Sequence, residues 1–364
     1  MAFASAFAIT DNTRLSRRAI GSTARTGTHD EGECMNRVTS LRGAGLLLMA
    51  AIAWGGFFPV ALVVLPVLDP FHMTSIRYGI TAIIFVGLLA LAEGPQALKL
   101  EGRGLRAALL GTAGFAGLGL FLFVGLQHSR PEHGAIMMAT QPLIAAVAAW
   151  LLRGVRPARA TLAFLGVALL GVLLVVTKGR FTGVFVGGTG FGDLMMFLGA
   201  VSWVIYSLGA ADFPSWSPLR YTALTCMLSL PAILGVTTIA TATGYVSTPS
   251  AGDVESVGWQ LAYIIGIASV LGVLSWNAGN KLLGVTNGML FINFVPVTVF
   301  AIRIAQGHHF QAIEFVGAAL VISALIANNV VVRQAAAPAL QDAKKTGRFS
   351  LRVHAGAAKP EGCR

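Results

Sequence analysis

Apolar positions in this chain fall in long unbroken blocks, with polar residues gathered in short intervals between them. A helix needs roughly 20 apolar residues to cross the approximately 30 Å core of a bilayer. Blocks of about that length cover 42–65, 71–92, 104–126, 133–152, 160–177, 190–210, 219–241, 257–277, 285–303 and 310–332. Connections rich in Pro and Gly punctuate them, as at Val67–Pro70, Glu93–Pro95 and Phe213–Pro218. The pattern predicts an all-α integral membrane protein with ten transmembrane helices.

The blocks repeat. Trp54 in the first block matches Trp203 in the sixth, and Arg77-Tyr78 in the second matches Arg220-Tyr221 in the seventh. Pro142 lies inside the fourth block and Pro296 inside the ninth, and FLGVALLGVLLVV (164–176) answers FVGAALVISALIA (315–327). Each half has five spans, an odd number, so the pattern predicts two inverted five-helix repeats, 41–178 and 190–332. Inverted repeats mark alternating-access carriers, whose site lies between the repeats near mid-membrane. Residues 1–40 and 333–364 are expected to be disordered tails, the second one basic. For the first, a start at Met35 and an organelle transit peptide stand as alternatives.

Composition agrees. Hydrophobic residues make up 55% of the chain and charged residues 11%, with a mean hydropathy of +0.74, whereas soluble domains carry about a quarter charged residues. The net charge of +11 sits in short loops and tails, as membrane orientation requires. Arg37, Arg42, Lys99, Arg103, Arg106, Arg153, Arg156, Arg159, Lys281 and the C-terminal cluster fall on one side. Arg130, Lys178, Arg180, Arg303 and the acidic loop 242–256 fall on the other. Both termini are therefore expected in the cytoplasm, with the protein in a plasma (inner) membrane. No folded basic surface with groove-reading elements points to nucleic acid. Cys34, Cys226 and Cys363 form neither a disulfide framework nor a metal spacing.

The stretch WNAGNKLLGVTNGMLFINFVPV (276–297) resembles the eighth-to-ninth helix pattern of EamA-type members of the drug/metabolite transporter superfamily. Arg77 and ATQPLIAAVAAWLLRGVRP (139–157) are similar to the same family. The resemblance covers about residues 42–332 and implies a ten-helix carrier that exports, or sometimes imports, small metabolites such as amino acids. The family often has a Glu just after the fourth and ninth helices; Val155 and His308 stand there in this chain.

Polar groups inside such blocks are expensive in lipid and mark cavities or functional pathways. Gln141, Asn293 and carbonyls freed by Pro142 and Pro296 are read as lining a central cavity. The bland reading is an interhelical hydrogen bond. Trp54, Trp203 and Tyr206 are read as aromatic walls, against simple core packing. Trp276 and Asn277, at the end of the eighth block, join them. Arg77 is read as a substrate charge or as a snorkelling anchor. Glu314 is the candidate for ion coupling, with a pairing to Arg303 as a further expectation. Asp193 reads as a first-turn acid, and His128, His133, His308 and His309 as solvated loop residues.

No HExxH, GxSxG, CxxC or Walker loop occurs. The expected protein is a secondary transporter with no cofactor and no metal. Its partners are a small-molecule metabolite and the lipid bilayer, with a homo-oligomer left open. A membrane enzyme or a channel is the alternative class.

Overall fold

The computed structural model describes residues 28–154, 159–177, 190–288 and 291–345. These residues form helices joined by short connections, with no β-strand among them. Helix α1 is Thr28–Val64, α2 is Pro70–Glu93, and α3 runs over Gly104–Gln127 with a π-helical turn at Thr112–Gly117. Helix α4 has two pieces, Pro131–Ala139 and Gln141–Arg153. Helix α5 is Arg159–Thr177, α6 is Gly190–Gly209 and α7 is Pro218–Ala242. Helix α8 covers Gly258–Leu283, with a π-helical stretch at Tyr263–Leu271. Helix α9 is Phe294–Ala305, preceded by short turns at Val285–Gly288 and Phe291–Asn293, and α10 is Ala312–Lys345.

Six of these helices are long and apolar enough to cross a membrane: Thr39–Val64, Pro70–Glu93, Gly104–Gln127, Gly190–Asp212, Pro218–Ala242 and Gly258–Leu283. Shorter apolar helices cover Leu162–Gly171, Phe291–Ala305 and Ala312–Ala324. The helical backbone reaches past the apolar blocks at both ends of the chain, beginning at Thr28 and ending at Lys345. Once a helix is nucleated, each added residue gains a hydrogen bond for little further ordering, so helices run on into polar sequence.

The expected fourth and ninth helices are not continuous. Pro142 and Pro296 fall in the first turns of Gln141–Arg153 and Phe294–Ala305 rather than in helix interiors. Proline has no N–H to donate, and the first turn is where that loss is harmless. At the α4 break Thr140 donates from Oγ to the Met137 carbonyl at 2.7 Å, satisfying one group that the break exposes.

Packing pairs the helices in a regular way. Helix α1 packs on α8 and α3 on α6; α2 packs on α7 and α5 on α10; α1 also meets α9, and α4 meets α6. Close approach depends on small residues, as expected where lipid supplies no hydrophobic drive between helices. A Cβ on Gly171 would lie 2.6 Å from the Gly317 carbonyl oxygen, and one on Gly192 would lie 2.5 Å from that of Gly125. Proline at the first position and a side-chain cap start α2 and α7. Asp69 accepts from the Phe71 and His72 N–H groups, and Ser217 from that of Arg220.

Candidate functional site

The centre of the molecule is aromatic. Trp54 stands edge-on to Trp203 with ring centroids 5.5 Å apart and leans on Trp276 at 5.3 Å. Trp203 meets Tyr206 at 4.9 Å, and Tyr206 stacks on Tyr221 at 5.1 Å and 23°. Trp54, Phe57, Phe58, Arg77, Met138, Trp203 and Val295 border a small cavity of about 30 Å³.

Arg77 is 4% exposed and belongs to this cavity. Its Nε donates to Ser269 Oγ at 2.6 Å, and its guanidinium carbon lies 4.8 Å from the Phe57 ring centroid and 4.6 Å from that of Tyr78. Nη1 is buried without a hydrogen-bond partner. The snorkelling alternative therefore does not hold, because the side chain turns inward, away from the helix end. A charged group at mid-membrane costs about 2.5–3.5 kcal/mol on insertion scales. Cation–π contacts return about 0.5–2 kcal/mol, so the aromatic faces offset only part of that cost.

The π-helical stretch of α8 explains how Arg77 is held. Widening the turn frees carbonyls and tilts side chains. Ser269 Oγ donates to the Ile264 carbonyl, five residues back, at 2.9 Å, while accepting from Arg77. The adjacent Ala268 carbonyl accepts from Trp54 Nε1 at 2.9 Å. Nothing in the residue pattern announces this stretch, and sequence reasoning missed Ser269.

Below the aromatic layer, Asn277 Nδ2 donates to Tyr206 Oη at 3.0 Å and to Thr222 Oγ at 2.6 Å. Trp276 Nε1 reaches Ser207 Oγ at 3.3 Å. A wider vestibule of about 330 Å³ opens at the end that carries the α6–α7 and α8–α9 connections. Ser207, Trp216, Tyr221, Asn277, Asn280 and Lys281 line it. Asn277 and Tyr221 thus form its inner wall, one residue layer from the tryptophans. Glu101, from the α2–α3 connection, ties the rim. It accepts from Trp216 Nε1 at 3.0 Å and pairs with Arg220 at 2.8 Å. The Trp216 indole bond, then Arg220, holds this carboxyl below the usual glutamate range.

At the opposite end, beside a surface depression of about 500 Å³, polar pairs tie the helices together. Arg303 Nε lies 2.8 Å from Glu132 Oε1, joining α9 to α4. His133 Nδ1 lies 3.0 Å from Asp193 Oδ1, which also accepts from Ser129 Oγ at 2.5 Å. His133 is 2% exposed, so it is a buried member of this cluster and not a solvated loop residue. Asp193 is likewise more than a first-turn acid. Arg303 has Glu132 as its ion-pair partner, 171 residues away in sequence, which no local pattern could reveal. Glu314 is buried in the first turn of α10, where its Oε2 accepts from the Gln311 N–H at 2.9 Å.

Among the residues singled out from sequence, the structure brings Trp54, Arg77 and Trp203 to the cavity, and Tyr206, Trp276 and Asn277 to the layer beneath it. Gln141 and Asn293 are buried at the two helix breaks, each with a side-chain oxygen lacking a partner. Neither lies on the cavity wall, although their neighbours Met138 and Ile292 do. Glu314 is remote from it. Arg156, Lys178 and Arg180 lie outside the described residues.

Apolar membrane-length helices around a central polar-and-aromatic cavity define a multi-pass membrane transporter. The EamA-like transporter family model matches this chain twice, over residues 41–177 and 190–330, and the chain belongs to that family. It is 37% identical over 297 residues to the uncharacterized transporter YrdR of Bacillus subtilis (strain 168), covering 80% of this chain and 92% of that protein. It is 29% identical over 291 residues to the uncharacterized transporter YyaM of the same organism, covering 79% and 93%. A solved crystal structure at 20% identity has the same fold, with a TM-score of 0.57 over 82% of this chain and 98% of that one. Family and fold together indicate a transporter rather than an enzyme, acting on a small molecule in a membrane.

Proposed function

We propose that this protein is a secondary carrier that exports small organic metabolites by alternating access. It is read as ten spans in two inverted repeats, 41–178 and 190–332, in the inner membrane with both termini cytoplasmic. The packing supports the repeat. Exchanging each helix for the one five places on turns α1–α8 into α6–α3 and α1–α9 into α6–α4, while α2–α7 and α5–α10 map onto themselves. The π-helical turns fall in α3 and α8, the third helix of each half, and the breaks fall at α4 and α9, the fourth. Discontinuous helices at matched places are a usual feature of carriers with inverted repeats.

The observation that carries the reading is the central cavity bordered by the buried Arg77, one residue layer from a vestibule. Asn277, Tyr206 and Tyr221 part it from the 330 Å³ vestibule, while at the other end Glu132–Arg303 and His133–Asp193 tie the helices together beside a surface depression of about 500 Å³. The vestibule side carries Arg103, Arg106, Arg220 and Lys281, which makes it the cytoplasmic side by the positive-inside rule. Solute enters there, and opening of the far side requires the ion pairs to part. The proposed substrate site has Trp54, Arg77 and Trp203 on the cavity wall, Tyr206, Trp276 and Asn277 in the layer beneath, and Gln141 and Asn293 off the wall at the helix breaks, with the remote Glu314 as the ion-coupling group.

Proteoliposomes loaded with a metabolite mixture test this directly. Protein-dependent efflux that Asn277→Ala slows at equal reconstitution is the expected result. Wild-type vesicles that release no solute beyond protein-free vesicles, while a control transporter does, would overturn it.

A further inference from the structure

Two residues that border the central cavity each carry a buried hydrogen-bond donor with no acceptor in this state. Arg77 Nη1 and Trp203 Nε1 are both buried, both without partners, and both belong to residues on its wall. The third polar group there, Trp54 Nε1, is already engaged by the Ala268 carbonyl. No Asp or Glu is among the described residues that line it. Val295, in the first turn of α9, also lines it, so the positive end of a helix borders the same space. Buried polar atoms nearly always have partners, so two orphan donors on one cavity wall call for an acceptor that arrives from outside.

Resting on the carrier reading above, we infer that the cavity, too small at about 30 Å³ to hold an organic solute in this closed state, widens as the carrier opens and then takes an organic anion: a small carboxylate with a flat apolar body and no ammonium group. The carboxylate docks on the Arg77 guanidinium, whose planar fork is suited to two oxygens. Trp203 Nε1 donates to it from the side. The apolar body lies among Trp54, Phe57 and Phe58. An amino acid fits less well, because its ammonium would sit beside Arg77 with no carboxylate on the wall to meet it.

Four probes sharing one aromatic ring but differing in charge separate these cases: phenylacetate, phenylalanine, phenethylamine and 2-phenylethanol. Calorimetric titration of the purified full chain is expected to rank phenylacetate first, about tenfold tighter than 2-phenylethanol, the difference one charged hydrogen bond makes. Phenethylamine is expected last. Arg77→Gln should bring phenylacetate down to the level of 2-phenylethanol, whose unchanged binding shows that the variant is folded; Arg77→Lys should keep part of the preference. Trp203→Phe should weaken phenylacetate a few-fold and leave 2-phenylethanol unchanged. Equal binding of all four probes, a phenylacetate preference that survives Arg77→Gln, or no binding of any probe would overturn the inference. Equal binding would leave the central-site carrier standing, and that reading fails only if the vesicles transport no solute.

Discussion

The two halves contain the same dipeptide on their second helices, and the structure uses it in opposite ways. Arg220-Tyr221 lies in the first turn of α7, where Arg220 pairs with Glu101 at the vestibule rim. Arg77-Tyr78 lies two turns into α2, where Arg77 has one serine hydroxyl, two aromatic faces and a free Nη1. Depth makes the difference. At the rim a carboxylate can reach the cation, and the half-exposed Glu101 is screened by water, so the pair contributes little beyond tying two connections. At mid-membrane an unpaired cation is retained against its desolvation cost, the usual mark of function. Arg303 is the third case, a cation at the opposite end with a buried acid of its own.

The largest expected effect on stability comes from Arg303→Gln. It strands Glu132, 2% exposed, without its cation, and because Arg303 is a quarter exposed the cost falls at or below the roughly 3 kcal/mol of breaking a fully buried pair. Thermal unfolding in detergent should show it, and exchanging the two side chains (Arg303→Glu with Glu132→Arg) should restore most of the loss. Arg77→Gln should do the reverse. Stability holds or rises, because no carboxylate is left behind, while transport falls about 10- to 100-fold, the range for losing a charged hydrogen bond. Coupled losses of stability and transport in both variants would erase the distinction between them.

Asn277→Ala comes next. It removes the bonds to Tyr206 and Thr222, worth about 1–3 kcal/mol together with the groups left unpaired. The layer between vestibule and cavity should loosen, so that Cys226, buried on α7 near this layer, gains maleimide reactivity in a background lacking Cys34 and Cys363. An unreactive Cys226 would mean that Asn277 does not hold the layer shut. The smallest effect belongs to the rim. With its carboxyl held below the ordinary glutamate range, Glu101 ties Trp216 and Arg220 fully above that range and releases them only as pH falls through the lowered value. Trp216 emission should be flat from neutral to mildly acidic pH and shift only in strong acid, and Glu101→Gln should abolish that shift.

Hydropathy was enough to specify a helical membrane protein and, approximately, six membrane-length helices, because lipid leaves a spanning backbone few other choices. The prolines signalled trouble in the fourth and ninth helices, though not whether it would be a kink or a break. The first-turn position of each proline decided that. Trp54, Arg77, Trp203 and Asn277 were legible because polar and aromatic groups are rare inside apolar blocks. Which of them face the same space was not, since helix contacts join residues as far apart as Trp54 and Ala268, 214 positions away. The Glu132–Arg303 and His133–Asp193 pairs were equally hidden, each group looking like an ordinary helix-end residue in its own segment. Sequence determined the six membrane-length helices because each helix meets lipid on its own terms. Tertiary structure alone decided which charges are paired and which is left open, because pairing depends on where separate helices cross.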